Sequence, residues 1–406
     1  MKIIHVNCSE SGSTGKIIEE ISKESFDRGY ESVLLAPKIS HVDTKYLRKH
    51  QTSKIFEQGL YRRIGRLLGR QYDFAPLSTC KIIKTIKKEA PDVVHVHCIN
   101  GYMVNVFRLL TFLKKRNINT IVTNHAEFFY TGNCAHAFEC DKWLTGCGNC
   151  STLKSATGSK FFDRTAKSWK KMEKAFNGFN NLYIASVSSW VMDRAKKSPI
   201  LREKRHLLIE NGINSQVFNK TMEFTERDKK QVLHVTSLFA TSDDGHKGGK
   251  FLLELSKRFE NENVEFVVAG LNFVKEQLPK NIKLLGRVSD QEELSKLYQN
   301  SDVTVLTSKR ETFGMAVAES LSCGTPVVGF KSGGSESVAI AKYSSFVEFG
   351  DVSSLEKELR KFLNVKNEGV ASNISTAALK KYDSKLMAKK YNDAYEGLIL
   401  ENASEK

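Results

Sequence analysis

The sequence predicts an α/β protein of two Rossmann-like, doubly wound domains. Three observations lead there. Short apolar runs alternate with stretches of helical periodicity along most of the 406 residues, as parallel sheets covered on both faces require. The alternation stops after the turn signal Asn211-Gly212 and starts afresh near residue 230. The length fits two to three domains at roughly 150 residues each.

In the first half, Ile3–Val6 reads as a strand, followed by the loop Asn7–Thr14, a helix from Gly15 to about Arg28 and a strand at Ser32–Ala36. Strands at Val93–Val96, Thr120–Thr123 and Leu182–Val187 continue the rhythm, with a helix at Val104–Lys115. In the second half the strands fall at Val232–Ser237, Val264–Gly270, Ile282–Leu285, Val303–Thr307, Val327–Phe330 and Phe346–Phe349. Helices are expected at Lys247–Phe259, Asp290–Asn300 and near Phe313–Ser322. Thr376–Leu400 is helical by pattern, with Tyr382, Leu386, Tyr391, Tyr395 and Leu398 apolar or aromatic. The division expected is a first domain over 1–210 with a Cys-rich insert at 132–151, a linker over 211–229, a second domain over 230–380 and a final helix over 381–406.

Apolar residues make up 40% and charged residues 27%, enough for ordinary cores and far from a disordered or fibrous chain. No window approaches the ~18 uninterrupted apolar residues of a membrane-spanning helix, and the apolar run after Met1-Lys2 is too short for a signal peptide. A cytoplasmic location is the expectation, and there the eight cysteines would be thiols or metal ligands rather than disulfides.

The net charge of +16 is unevenly placed: residues 1–210 carry 35 Lys and Arg against 19 Asp and Glu, whereas residues 211–406 carry 27 of each. An anionic partner for the first half follows, and nucleic acid and an anionic membrane both fit. Between Lys54 and Arg70, Phe56, Leu60, Ile64, Leu67 and Leu68 repeat at helical spacing beside Arg62, Arg63, Arg66 and Arg70. Two readings stay open, a core helix with a solvated basic face and a helix that docks on a membrane. Gly59, Gly65 and Gly69 each weaken the helix by ~1 kcal/mol relative to Ala, which a helix formed only at a surface would tolerate.

The loop from Cys8 to Lys16 leaves the first strand and enters a helix, so amides around Gly12 could face a phosphate. It is neither a Walker A loop, since Ile17 stands where Ser or Thr would hold magnesium, nor GxGxxG. A tight turn without a ligand is the alternative. The sharpest signal is Glu311-Thr312-Phe313-Gly314-Met315-Ala316-Val317-Ala318-Glu319. Along a helix its two carboxylates would lie ~12 Å apart, beyond the about 5–10 Å of a pair acting on one glycosidic bond. They suit two parts of one long ligand, such as the hexose and ribose of a nucleotide sugar.

Cys134, Cys140, Cys147 and Cys150 fall within 17 residues. Four thiolates could close a tetrahedral structural zinc site, with reduced or redox-coupled thiols as the alternative; four protein ligands would leave no open catalytic position.

The run Leu285-Gly286-Arg287-Val288, Glu293-Leu294 with Tyr298, Asp302-Val303, Ser308, Glu311-x-Phe313-Gly314, Glu319 and Gly324-Thr325-Pro326-Val327-Val328 resembles the C-terminal signature of GT-B glycosyltransferases of family 4. Asn211-Gly212-Ile213-Asn214 with Phe218, and His246-Lys247-Gly248-Gly249, extend the likeness over most of the C-terminal half. The resemblance implies a GT-B fold, two domains facing a cleft with the last helix crossing back to the first, and retaining sugar transfer from a nucleotide diphosphate sugar without an obligatory metal or cofactor. It further implies that Glu311 holds the donor hexose, Glu319 the ribose and Lys247 the diphosphate, helped by amides of Thr312, Phe313, Gly314 and Met315. His125 matches the family's N-domain histidine near the transferred sugar; a hydrogen-bonded core histidine is the rival reading, and His95 and His97 read as structural. The family's usual Arg upstream of the Lys is missing, because Thr236-Ser237-Leu238-Phe239 stands there. Lys250, Arg287, Lys309 or Arg310 could replace its charge, with Arg310 favoured for its place beside Glu311.

The cysteine region, with Asn124-His125, Trp143, Phe162-Asp163, Lys174, Phe176 and Ser189-Trp190, looks like a subset of these enzymes acting in bacterial capsule, exopolysaccharide or O-antigen assembly. Ser151 departs from that subset, in which Pro commonly follows the last Cys. The leading expectation is thus a peripheral enzyme at the inner face of the plasma membrane, with a lipid-linked or glycan acceptor, an anionic membrane surface and no nucleic acid as partners. Two alternatives are weighed against it: a GT-B sugar-nucleotide epimerase and a zinc-containing, basic nucleic-acid-binding protein.

Overall fold

The computed structural model describes residues 1–223, 227–242, 246–274 and 276–404. The chain forms two compact units, Met1–Glu210 with Lys385–Lys406, and Asn211–Ser384.

The first unit is built on seven parallel strands: β1 (Lys2–Val6), β2 (Glu31–Ala36), β3 (Arg48–Gln51), β4 (Val93–Val96), β5 (Asn119–Asn124), β6 (Leu182–Ser186) and β7 (Arg205–Leu208). Their order is β3-β2-β1-β4-β5-β6-β7, so the winding reverses between β1 and β4, where open α/β sheets place their ligands. Alternation sorts the side chains onto two covered faces. Ile4, Val6, Val94, Val96 and Val122 pack with the helices Val106–Lys115 and Thr165–Phe176. Ile3, Val93 and Ile121 pack with Ile17 and Ile21 and with Tyr391, Tyr395 and Leu398 of the helix Ser384–Ser404.

β3 and β7 have no counterpart in the sequence reading. Both lie at sheet edges, and β3 reads Arg-Lys-His-Gln, a charged edge that resists pairing with another chain but carries no apolar signal.

The segment 54–70 does form a helix, Ile55–Leu68, and two of its three glycines have local reasons: Gly69 ends it in a left-handed conformation, and Gly65 makes room for a neighbour, whereas nothing lies close to Gly59. A Cβ on Gly65 would meet the Tyr102 ring at 2.5 Å, so the missing side chain is what lets Tyr102 lie against the helix backbone. With Tyr61 and Gly65 on the buried side, Phe56, Leu60 and Leu67 are left 68%, 51% and 44% exposed beside exposed Arg62, Arg63 and Arg66.

The second unit holds six parallel strands: β8 (Lys230–Phe239), β9 (Val264–Asn272), β10 (Ile282–Gly286), β11 (Val303–Leu306), β12 (Val327–Phe330) and β13 (Ser344–Val347). Their order, β10-β9-β8-β11-β12-β13, places the reversal between β8 and β11. Val232, Phe266, Val268, Val303, Val305 and Val328 form its core with Leu252, Leu255, Leu355 and Leu359 of flanking helices. The last strand sits two residues earlier than the expected Phe346–Phe349.

The single helix expected over Thr376–Leu400 is two, Glu368–Tyr382 and Ser384–Ser404. Asp383 leaves helical geometry because its neighbours bond elsewhere: Ile213 N donates to Tyr382 O at 2.8 Å and Ser384 N to Ile213 O at 2.9 Å. No helix of the described residues is long and apolar enough to cross a membrane.

Candidate active site

Within the second unit the residues singled out by sequence gather at the strand ends beside the β8/β11 reversal. β11 ends at Leu306, and Glu311 follows in a loop whose backbone pairs with the next one: Glu311 N donates to Ser332 O at 3.0 Å and Gly334 N to Glu311 O at 2.8 Å. Lys247 comes from the segment between β8 and the helix Gly249–Lys257, and Thr307 Oγ1 donates to its carbonyl at 3.0 Å. These anchors bring Lys247 Nζ to 2.6 Å from Glu311 Oε1, with both side chains only partly exposed. The result is a cation and an anion at one strand end, able to grip a ligand that carries both phosphate and hydroxyl groups.

Gly314 opens the helix Met315–Ser322 in a left-handed conformation, φ 84°. A Cβ there would lie 2.6 Å from Ser335 Oγ, so the tight turn that aims the helix amides requires glycine. Thr312 and Met315 are partly exposed at this turn and Phe313 is buried beneath it. Glu319 sits one turn into the helix, and its Oε2 accepts from Tyr298 OH at 3.0 Å. Burial and the Glu319 charge push the Tyr298 phenol well up, so it stays a donor that orients the carboxylate.

The candidate replacements for the missing Arg differ in placement. Arg287 is exposed after β10, three strands from β11 or about 14 Å at the usual interstrand spacing. Lys250 lies over Phe251 and Lys309 over Phe349. Arg310 is partly buried next to Glu311 in the chain.

Gly12 and His125 belong to the first unit. Gly12 opens the helix Gly12–Asp27 after β1. His125 follows β5, and its Nε2 lies 3.4 Å from His97 Nδ1; burial lowers its pKa to about 4. The insert is pinned by buried groups: Glu127 Oε1 accepts from Arg194 Nε at 2.7 Å, Arg194 covers the Trp143 ring at 4.7 Å, and Trp169 Nε1 donates to Trp143 O at 3.0 Å. Cys134, Cys140, Cys147 and Cys150 are partly buried neighbours there, and burial first, then the other thiols, raises the Cys134 pKa, while burial pushes Cys147 to about 11. The donor set suits zinc. Among the described residues, however, the group whose ligand atoms lie within 4.8 Å of one another is His5, His95 and His97, not the cysteines.

Comparison with known proteins fits this geometry. Residues 221–381 match the glycosyl transferases group 1 family. The group 1 segment thus contains Lys247, Glu311, Gly314 and Glu319. An uncharacterised glycosyltransferase of Methanocaldococcus jannaschii, MJ1607, is 29% identical over 153 residues, 32% of this chain and 38% of that one. The Escherichia coli K12 protein WcaC, a putative colanic acid biosynthesis glycosyl transferase, is 23% identical over 263 residues, 62% of this chain and 63% of its own. The chain therefore spans less than two thirds of the length of either relative. The crystal structure of Anabaena HepE in complex with UDP and glucose superposes with a TM-score of 0.61 at 15% identity, covering 98% of this chain and all of that one. The fold is GT-B.

The sequence reading gave Tyr298 no role beyond its place in the signature and Thr307 none beyond ending a strand, and it left out the Gly333–Ser335 turn altogether. Their part is played across the sheet, and only a polar residue just past an apolar strand hints at it.

Proposed function

We propose that the protein is a retaining glycosyltransferase of family 4 that moves a hexose-type sugar from a nucleotide diphosphate sugar to a glycan acceptor, carried on a polyprenyl diphosphate, in cell-surface polysaccharide assembly. The observation that carries the reading is the Lys247–Glu311 pair beside the start of the helix Met315–Ser322, inside the group 1 segment.

In this reading Lys247 and the helix amides at Thr312–Met315 take the diphosphate, with Arg310 adding charge, and Glu311 and Glu319 hold hexose and ribose hydroxyls. The bond from the anomeric carbon to the phosphate oxygen breaks, its electron pair leaves with the diphosphate, and the acceptor oxygen bonds to the same face. A donor phosphate oxygen receives the acceptor's proton. Fixed positive charge on the leaving group lowers this barrier, and no protein nucleophile or metal is needed. His125 is assigned to the transferred sugar. That HepE was crystallised with UDP and glucose supports the donor class.

The acceptor side rests on the first unit's charge excess and on the helix Ile55–Leu68, whose exposed Phe56, Leu60 and Leu67 lie among exposed arginines. Phe161 and Phe162, 70% and 52% exposed, adjoin it through Lys160 N, which donates to Arg66 O at 2.9 Å. A peripheral place on an anionic membrane suits such a surface. The cysteine set is proposed as a structural zinc site on its donor chemistry and shared neighbourhood.

The test is a thermal-stabilisation screen of UDP- and GDP-sugars, followed by incubation of the best donor with vesicles containing a polyprenyl-diphosphate glycan. Transfer of labelled sugar to the lipid with retained anomeric configuration supports the proposal. Conversion of the free nucleotide sugar without an acceptor would replace it with an epimerase.

A further inference from the structure

Three helices of the first unit, Pro76–Glu89, Val106–Lys115 and Thr165–Phe176, border an open groove of about 560 Å³. Its more sheltered lining is apolar: Phe107 and Ala175 are buried, and Ile83 and Phe112 half-buried. Lys87, Arg108, Lys115, Arg116 and Lys174 stand exposed around them, with Lys171 half-buried. Each helix repeats the same pairing, a cation about one turn from an apolar residue: Lys87 with Ile83, Arg108 and Lys115 with Phe112, and Lys171 with Ala175.

Among the described residues no carboxylate lines this groove. Of the acidic residues on its helices, Glu89 is held by Lys2 and Arg48, and Glu173 is outside the lining. Asp73 lies in a smaller cleft that shares Asn105 and Arg108 with the groove, and it is bonded by Lys171 Nζ and by Arg70 Nε at 2.7 Å. Lys171 is thus neutralised, whereas Lys87, Arg108, Lys115, Arg116 and Lys174 have no carboxylate partner among the described residues. Their field reaches Lys114, whose pKa is lowered by burial first and then by the charges of Lys174 and Lys115. Like charges gathered on low-dielectric walls concentrate a positive potential that an anion relieves.

We propose that this groove binds one anionic phospholipid, its phosphate held by the cations of the rim and its glycerol and first methylenes laid on Ile83, Phe107 and Phe112. A free phosphate would satisfy the cations and leave the apolar lining wet. The volume is that of a site for a whole small molecule, and long basic side chains cover apolar groups with their stems while their charged ends reach the ligand. The smaller cleft leads on to Arg70, directly after Gly69, which ends the helix Ile55–Leu68. For the source of the lipid the inference rests on the membrane reading above: the helix meets the bilayer, and the groove takes a single lipid from it.

The experiment is isothermal titration of the full-length protein with dihexanoyl phosphatidylglycerol, kept below its micelle concentration so that no bilayer takes part. Wild type is expected to bind it saturably, and to bind dihexanoyl phosphatidylcholine at least ~10-fold more weakly. The triple variant Arg108→Ser, Lys115→Ser, Lys174→Ser should lose at least ~10-fold in affinity, whereas changing Arg62, Arg63 and Arg66 to Glu should leave this titration unmoved. The three groove side chains are exposed, so the fold should stand; Lys115→Glu alone reads the same loss if it does not. Equal binding of the two lipids, binding that survives the groove changes, glycerol 3-phosphate bound as tightly as the lipid, or a short RNA bound more tightly overturns the proposal. Flotation on phosphatidylglycerol vesicles separates it from the membrane reading. Wild type that binds the soluble lipid but not the vesicles keeps the groove and loses the docking helix; vesicle binding without saturable binding of the soluble lipid keeps the helix and loses the groove.

Discussion

Lys247 and Glu311, 64 residues apart, meet as an ion pair at 2.6 Å, each fixed by main-chain anchoring of its own loop. A phosphate arriving at this place would draw Lys247 away from the carboxylate and free Glu311 for hydroxyl groups. The two side chains neutralise one another in this structure, and in the proposed reading each would take a different part of the donor.

Glu311→Gln should therefore cut transfer by at least ~100-fold, the usual cost of removing one preorganised polar contact at a reacting centre. Stability should change by less than about 1 kcal/mol, since the pair is partly solvated. Steady-state kinetics and urea melts check both, and wild-type turnover in Glu311→Gln removes the assignment.

Gly314→Ala should destabilise the second unit by about 1–3 kcal/mol, because it forces a Cβ into a left-handed turn and against Ser335. Stabilisation by the donor nucleotide should fall as well, as the helix amides are turned away. Unchanged melting of this variant would contradict the close approach of Gly314 to Ser335.

Changing Arg62, Arg63 and Arg66 together to Glu should abolish binding to anionic vesicles, each basic residue near such a surface contributing about 1 kcal/mol. Phe56→Ser with Leu60→Ser should weaken binding at every salt concentration, since its share is apolar. Vesicle flotation reads both effects. Binding that survives both sets of changes would confine this helix to a structural role.

Protein purified under reducing conditions should contain one zinc per chain, lost on Cys147→Ser and on prolonged chelation, with a lower melting temperature of the first unit. Elemental analysis of fresh protein settles the matter, and absence of zinc returns the four residues to buried thiols.

Acid should destabilise the fold well above the carboxylate range. Below pH 6.5 the unfolded chain takes up protons that folded His5 and His125 refuse until about pH 3 and about pH 4. The unfolded state then binds more protons, so stability falls as the pH drops from 6.5 toward 4, by up to ~1.4 kcal/mol per pH unit for each such ring. Melts of wild type and His5→Phe across this range should show a shallower slope in the variant; equal slopes would mean that His5 is already protonated in the fold.

The apolar strands were legible because a strand buried on both faces announces itself as a short Val, Ile and Leu run: β1, β4 and β12 fall within a residue of where the pattern places them. β3 was not, since an exposed edge is built from Arg48, Lys49, His50 and Gln51 and has no periodicity to read. The break at Asp383 was hidden for another reason. Nothing local stops the helix there, and the competing bonds come from Ile213, distant in sequence. In the candidate site Glu311, Gly314 and Glu319 stood out because one strand end and one helix carry them in a short motif. Tyr298 shows no role beyond the signature in the sequence, since its partnership with Glu319 needs the helix Gln291–Gln299 to lie beside the helix Met315–Ser322.

What the sequence determined alone is the set of buried elements and the local motif, because the period of apolar residues follows directly from which face each element hides. Tertiary structure decided the partnerships: Lys247 with Glu311, and His5 with His97 across 92 residues. Strand order and register set those meetings, and a one-dimensional pattern of burial does not encode which strand will lie beside which.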